Sequence, residues 1–293
     1  MKIAVTGANG MLGEALLKCL SGLHNISATS RNKGLERKNI EWDCFDLTNF
    51  SLLKRWLNNV KPDIVIHCAA NINVDLCEDN ASLAIQIHVK TTEILSIYAD
   101  ENDIRMIYIS SDQVFNGEKK GTYKESDKVN PLNVYAKTKL MGEKLVQAID
   151  SGLVLRVNII GWTKEGKSSF AEWILNGLIE GTTLNLFYDV HFSPLFVNDL
   201  SHIIEKIITN PLFGIYHCAS RDSISKCDFG KKLAEIFKLS ESNINRVSLD
   251  SFSFKAIRPK NMALDVKKIS DALNFDLPSV EDSIRSMHHH YNK

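Results

Sequence analysis

The chain alternates short apolar runs with stretches of helical periodicity. Lys2 to Thr6 is an apolar run of strand length, and Met11 to Gly22 follows with Leu12, Leu16, Leu17 and Leu20 on one side of a helix. Ile26 to Ser30 and Glu41 to Phe45 read as the second and third strands, with a helix from Asn49 to Asn59 after them. Asp63 to His67 is a buried-strand run, and a long helix is predicted over roughly Asn80 to Asn102. Arg105 to Ser111 is a fifth strand ending in hydroxyls. A loop rich in polar and turn residues runs from Asp112 to Pro131, a helix follows to about Ile149, and Gly152 to Val157 is a sixth strand. Strands that are apolar along their whole length belong in a sheet covered on both faces. The strand–helix alternation over residues 1–160 therefore predicts an α/β fold, a doubly wound parallel sheet of the Rossmann kind.

Beyond Arg156 the pattern loosens. A helix is predicted from Ser168 to Glu180, a short strand from Leu184 to Tyr188, and a helix capped by Asn198-Asp199 and running to Thr209. Gly214 to Cys218 reads as a strand, and Ser225 with Asp228 makes a capping box for a helix to about Phe237. Helices are also expected over Asp265 to Leu273 and Ser279 to His290. No linker separates this half. Residues 161–293 are therefore expected to form a smaller, closely joined C-terminal lobe for substrate, leaning over the carboxyl ends of the strands, with some segments returning to the main sheet.

Composition narrows the function classes. Thirty-five basic side chains balance thirty-five acidic ones, so there is no electrostatic case for nucleic acid or for an anionic membrane. No apolar run approaches the roughly 20 residues that span a bilayer. Met1 to Val5 goes straight into a strand pattern, so no signal peptide and a cytoplasmic location are expected. The six cysteines show neither a C-x-x-C pair nor metal spacing, which predicts reduced structural thiols and no metal site. His288-His289-His290 points in three directions on a helix, so the trio is expected to face solvent rather than hold one ion.

The candidate chemistry sits at the strand ends. Gly7, Gly10 and Gly13 follow a strand and open a helix, the context of a dinucleotide fingerprint. Gly7 permits the tight turn, Gly10 lets backbone approach a pyrophosphate, and Gly13 allows close helix–strand packing, with the helix N-terminus facing the phosphates. The second strand ends in Ser30-Arg31-Asn32-Lys33 instead of the acidic residue that holds a ribose in NAD-type sites, so Arg31 is a candidate partner for a 2′-phosphate and NADPH is favoured, with NADH as the alternative. Asp46, followed by Leu47, can accept from an adenine amino group or cap the next helix. Cys68, Ala69 and Ala70 are small residues in the crevice at the end of the fourth strand. Tyr135 and Lys139 are four apart on a helix and so share a face. A phenol with a pKa near 10 is a poor acid–base group until a fixed ammonium favours its phenolate. A hydroxyl from Ser110 or Ser111 can then share the reacting oxygen.

Taken in order, Thr6 to Gly13, Cys68-Ala69-Ala70, Tyr108 to Phe115 and Tyr135-Ala136-Lys137-Thr138-Lys139 resemble the extended short-chain dehydrogenase/reductase superfamily. Within it, Ser110-Ser111-Asp112-Gln113-Val114-Phe115-Asn116-Gly117, Pro131 to Tyr135 and Arg258-Pro259-Lys260-Asn261 look most like the RmlD-like dTDP-4-dehydrorhamnose reductase family. The resemblance implies NADPH-dependent reduction of the C4 ketone of a nucleotide-linked 4-keto-6-deoxy sugar, in cell-surface polysaccharide biosynthesis. It implies Tyr135 as proton donor, Ser111 as the hydroxyl on the same oxygen and Lys139 as partner of Tyr135. It places the cofactor against Gly7, Asn9, Gly10, Met11, Leu12, Gly13, Ser30, Arg31, Asp46, Leu47, Cys68, Ala69, Ala70, Tyr135 and Lys139. It places the sugar nucleotide against Val74, Asp75, Asp112, Val114, Asn158 and Arg258. The chain departs from the family's pattern at His88, where an Asn is usual, at His67-Cys68, at Gln113 and at Ile159, so a related nucleotide 4-keto sugar is also implied as substrate. Two other readings are an NAD-dependent nucleotide-sugar epimerase or dehydratase, which would keep its cofactor bound, and a non-catalytic NADP-binding regulatory subunit. A homodimer is compatible with the family.

Overall fold

The computed structural model describes residues 1–163 and 168–291. In chain order its elements are β1 (Lys2–Thr6), α1 (Met11–Leu20), β2 (Asn25–Ser30), β3 (Ile40–Cys44), α2 (Phe50–Val60), β4 (Ile64–His67), α3 (Val74–Asp79) and α4 (Ala81–Ile85), which runs through a π-helical turn (Gln86–Lys90) into α5 (Thr91–Glu101). Then come β5 (Arg105–Ser111), α6 (Val134–Gln147), β6 (Gly152–Val157), β7 (Ile159–Ile160), α7 (Phe170–Glu180), β8 (Leu184–Phe187), β9 (His191–Phe192), β10 (Leu195–Phe196) and α8 (Val197–Thr209). The chain finishes with β11 (Gly214–Cys218), β12 (Ile224–Ser225), α9 (Lys226–Phe237), β13 (Ile244–Val247), β14 (Asn261–Met262), α10 (Lys267–Leu273) and α11 (Val280–Tyr291).

Seven strands form the main sheet in the order β3-β2-β1-β4-β5-β6-β11. Every neighbouring pair in it is parallel, as in the α/β Rossmann arrangement. Alternate residues of each strand feed two separate cores. Ile3, Val5, Ile64 and Ile66 pack with Leu12, Leu16 and Leu20 of α1 and with Ile203, Ile204 and Ile207 of α8. Ala4, Val65, Met106 and Val154 face the other way, onto Leu53 and Leu57 of α2, Leu95 of α5 and Val146 of α6. Both faces are thus covered, which explains why the strands read as unbroken apolar runs. Strand order reverses between β1 and β4, and the crevice at their carboxyl ends is where ligands sit in such sheets.

Beyond residue 160 the chain both returns to this sheet and leaves it. β11 extends the sheet beside β6, with Tyr216 opposite Leu155, and α8 covers α1. The rest builds small sheets, β12-β9-β14 and β13-β8, over a core that includes Ile174, Leu186, Phe192 and Phe229. The two-residue strands escape sequence reading because each is made by distant pairing, such as Asn261 with His191. The long helix predicted from Asn80 starts there, with the Asn80 side chain accepting the Leu83 N–H at 2.9 Å, but it contains the π turn and is preceded by the separate α3. Helix α8 begins at Val197 after Phe196, rather than behind an Asn198-Asp199 cap. No helix among the described residues is long and apolar enough to cross a membrane.

Candidate active site

Helix α6 is held at its start from three directions. The Asn133 side chain caps it by accepting the Ala136 N–H at 2.9 Å and donates to the Ile257 carbonyl at 2.9 Å, while Val134 N–H donates to Glu78 Oε1 at 2.7 Å. The helix therefore enters at a fixed angle over β5, and Tyr135, Lys139 and Glu143, spaced one turn apart, all turn inward. Their exposures are 8%, 2% and 0%, so none of them is an ordinary solvated helical face.

Ser110 and Ser111, at the end of β5, point to different partners because successive strand residues face opposite ways. Ser110 Oγ donates to Glu143 at 2.5 Å. Ser111 faces the Tyr135 phenol, whose pKa it pulls down, accepts the Gln113 N–H at 3.2 Å and lies 3.0 Å from Asp112 Oδ1. The structure thus separates the two hydroxyls: Ser111 joins Tyr135 and Ser110 serves Glu143. Lys139 Nζ donates to the Ile109 carbonyl at 2.6 Å and sits 4.0 Å above the Tyr108 ring. Burial pushes the Tyr135 phenol up to about 12, against the opposing pull of Ser111. Burial pushes the Lys139 ammonium down to about 7, against the opposing pull of Glu143. Asp112 is pushed up to about 6 by burial, although Asn158 and Ser111 hydrogen-bond its carboxylate.

His88 lies in the π turn and is completely buried. Its Nε2 accepts the Asn71 N–H at 2.9 Å, so the ring proton is on Nδ1, which faces Thr138 Oγ1 at 2.8 Å. The ring meets Tyr135 edge-on at 5.6 Å. Burial, with Lys139 nearby, lowers its pKa to about 3. His88 thus ties the loop after β4 to the helix that carries Tyr135.

The loop between β1 and α1 fits a dinucleotide. Gly7 has φ of +65°, and a side chain there would come within 2.7 Å of the Ala69 backbone. At Gly10 an added Cβ would meet one backbone oxygen at 3.1 Å, which leaves its outer face open to a ligand. Gly10 also caps α1 without a side-chain hydrogen bond, so the first N–H groups of the helix are available to phosphates. Met11, Leu12 and Gly13 form that first turn. Arg31 is exposed just past β2, beside Ser30, whose hydroxyl donates to the Asn32 carbonyl. Asp46 accepts both the Thr48 N–H and hydroxyl, 2.9 and 2.7 Å away, and Leu47 is buried behind it. Gly34 brings the loop after β2 close to the Asn9 side chain. Cys68 follows β4, its thiol pushed up to about 12 by burial, with Ala69 and Ala70 partly exposed beside it.

Of the residues expected at the sugar nucleotide, Asp75 and Arg258 meet each other in an ion pair of 2.7 Å, although 183 positions apart. Asp75 also accepts the Ala256 N–H at 2.9 Å, and Arg258 stacks over Phe254 at 5.5 Å. Val74 is buried at the start of α3 and Val114 is fully buried. Asn158 donates to Asp112. Two groups that the sequence reading did not single out also belong here. Lys226, in the first turn of α9, interacts electrostatically with both Asp112 and Arg258. Glu143 completes the Tyr135–Lys139–Glu143 face, and its four-residue spacing was the available signal. His288 and His290 lean on Phe237 and Phe196 while His289 alone is exposed, so the trio is not wholly turned to solvent.

The chain is 28% identical to a probable low-salt glycan biosynthesis reductase, Agl14, of Haloferax volcanii, over 97% of this chain and 96% of that protein. It is 30% identical to the methionine adenosyltransferase 2 subunit beta of Xenopus laevis, over 90% of this chain and 80% of that one. A dTDP-4-dehydrorhamnose reductase of Bacillus anthracis, solved with NADP, superposes with a TM-score of 0.85 at 27% identity, covering 99% of both chains. The RmlD substrate binding domain family matches residues 1–293. With its family model matched from end to end, the chain belongs to the RmlD substrate binding domain family.

Proposed function

We propose that this chain is an NADPH-dependent reductase of the C4 ketone of a nucleotide-linked 4-keto-6-deoxy sugar. The observation that supports the reading is that Tyr135, beside Ser111, and Lys139, on the Ile109 carbonyl, both turn in from one face of α6 toward the carboxyl end of β5, whose sheet also carries a glycine turn suited to a dinucleotide. The solved relative that holds NADP supports the cofactor class. Residues 1–160 would hold the dinucleotide through the open N-terminus of α1 and Arg31, and the lobe over 161–293 would hold the sugar nucleotide.

Bound NADPH supplies the hydride that the carbonyl carbon takes up. At the carbonyl oxygen the chain's own groups act. Tyr135 donates its phenolic proton as negative charge develops there, and Ser111 donates a second hydrogen bond to the same atom. The Lys139 ammonium stabilises the phenolate that Tyr135 leaves behind, which brings a phenol raised by burial back toward neutral working pH. Arg258 and Lys226 offer charge to a diphosphate. The low exposure of Tyr135, Ser111 and Lys139 excludes water from the proton donor. NADPH oxidation by the purified chain against a panel of nucleotide 4-keto-6-deoxy sugars tests this reading, and failure of every sugar despite NADPH binding would reject it.

A second reading, that of a regulatory subunit, is favoured by the 30% identity to a methionine adenosyltransferase beta subunit. Against it, the chain retains Tyr135, Ser111 and Lys139, the residue types that the reduction of a carbonyl calls for. Stimulation of a methionine adenosyltransferase by this chain, with no turnover of any sugar, would favour that reading.

A further inference from the structure

We infer that His88 is a positioning residue for the proposed reduction: its neutral imidazole, bonded to the loop after β4 on one side and to the start of α6 on the other, braces Tyr135 by both backbone and ring. That role rests on the reductase reading; the bonds that build it do not.

Two directed bonds leave the ring. The Asn71 N–H donates to Nε2 at 2.9 Å, and Nδ1 faces the Thr138 hydroxyl at 2.8 Å. A backbone N–H can only donate, so Nε2 must accept, and a neutral ring with its proton on Nδ1 makes both bonds. Thr138 Oγ1, having accepted from Nδ1, keeps one proton to give. The Val134 and Tyr135 carbonyls lie 2.8 and 2.9 Å from it. The path from Asn71 therefore ends on the backbone of Tyr135. The imidazole also meets the Tyr135 ring edge-on, with centroids 5.6 Å apart. His88 and Thr138 are both buried, so water is not at hand to replace a lost bond.

At its other end the path reaches α3. The Asn71 carbonyl accepts from Cys77 Sγ at 3.5 Å, and the Asn71 side-chain oxygen accepts the Asn73 N–H at 3.3 Å. Asn73 in turn caps α3 by accepting the Leu76 N–H at 3.0 Å. Helix α3 carries Asp75, the partner of Arg258 from the C-terminal lobe. His88 thus joins the helix that meets the lobe to the helix that carries the proton donor. Its own backbone is held where this requires. Thr92 Oγ1 donates to the His88 carbonyl at 2.7 Å, and a Cβ on Gly142 would come within 2.9 Å of that same oxygen, so α6 lies directly on the π turn. Single π turns inside α-helices are frequent at functional sites. A histidine kept only for packing needs partners for its nitrogens, but not one partner on each of the two segments that flank the reacting carbonyl.

The test begins with Thr138→Val, which keeps the side chain's shape and removes the hydroxyl that joins His88 to Tyr135. His88→Leu removes both bonds of the ring, and the double variant combines the two. NADPH oxidation with the nucleotide 4-keto-6-deoxy sugar that the panel selects gives kcat and KM, and NADPH fluorescence gives Kd. The expected kcat is about 10- to 100-fold lower in each single variant, the size of a slightly misplaced reacting group, with Kd for NADPH within about twofold of wild type. Because both substitutions cut one path, the double variant should lose no more than the worse single variant. Spectra of the 13C-tyrosine-labelled chain, with Tyr135 assigned by Tyr135→Phe, read the same effect without turnover: one sharp set of Tyr135 ring signals in the wild type, broadened or doubled in Thr138→Val. A residue that only stabilises the fold would lower Tm while kcat stays near wild type and the Tyr135 signals stay single, and either of those last two results in Thr138→Val overturns the inference. Losses that multiply in the double variant overturn it as well. Should His88→Leu fail to fold, Thr138→Val decides by itself. If the wild type turns over no sugar, the reductase reading fails, and the Tyr135 signals still decide whether His88 positions that side chain.

Discussion

The ion pair between Asp75 and Arg258 yields a quantitative prediction. Both residues are expected at the sugar nucleotide, yet in this structure each occupies the other. The pair is partly solvated, with side-chain exposures of 39% for Asp75 and 24% for Arg258. An ion pair of that kind is worth roughly 0.2–1 kcal/mol after screening. A charge-assisted hydrogen bond from a guanidinium to a phosphate is worth roughly 1.5–3 kcal/mol. Moving Arg258 from Asp75 onto a diphosphate therefore gains about 1–2 kcal/mol, which is about 5- to 30-fold in affinity. Arg258→Ala should raise KM for the nucleotide sugar, and Kd for the bare nucleoside diphosphate, by about that factor. The turnover number should be nearly unchanged if Arg258 holds the diphosphate and not the reacting carbonyl. Asp75→Asn removes the competing charge but keeps an oxygen for the Ala256 N–H. It should tighten binding by about 1.5- to 5-fold, the reciprocal of the pair's own worth. Calorimetry with the nucleoside diphosphate, run beside steady-state kinetics, measures both. Equal affinity in wild type and Arg258→Ala, or weaker binding in Asp75→Asn, would refute the idea that the pair opens for substrate.

Two further outcomes follow from the charges in the structure. His88 and His217 are neutral in the fold, each with a pKa lowered to about 3 by burial against an ordinary 6.5. Between those values the unfolded chain binds more protons, so stability should fall as pH drops below about 6.5; His88→Asn should flatten that slope in urea melts, and an unchanged slope would contradict the neutral assignment. Arg31→Ala should weaken NADPH binding by about tenfold or more while leaving NADH binding nearly level, because it removes a charge-assisted contact of roughly 1.5–3 kcal/mol to the 2′-phosphate alone; a parallel loss for both dinucleotides would assign NADPH recognition elsewhere.

Much of the architecture was legible because of how the sheet is covered. Helices on both faces force β4 and β5 to be apolar along their lengths, so Ile64–His67 and Arg105–Ser111 stand out in the sequence. Tyr135 and Lys139 were legible because helical spacing places them on one face. The π turn at Gln86–Lys90 was not, since one inserted residue leaves the apolar periodicity on either side intact. Nor was the pairing of Asp75 with Arg258, or the route from Ser110 through Glu143 and Arg156 to His217, because tertiary packing brings together residues far apart in sequence. The two-residue strands of the lobe lack local periodicity for the same reason. Ser110 and Ser111 are adjacent and chemically equal in the sequence, and only the direction of each side chain tells which one joins Tyr135.

The most direct measurement is NADPH oxidation by the wild type and by Tyr135→Phe, with the nucleotide 4-keto-6-deoxy sugar that the panel selects. General acid catalysis of this kind contributes roughly 100- to 10,000-fold. The account predicts a loss of kcat in that range for Tyr135→Phe, with NADPH affinity retained. Turnover by the Phe variant within a few-fold of wild type would contradict the role of Tyr135 and with it the proposed site.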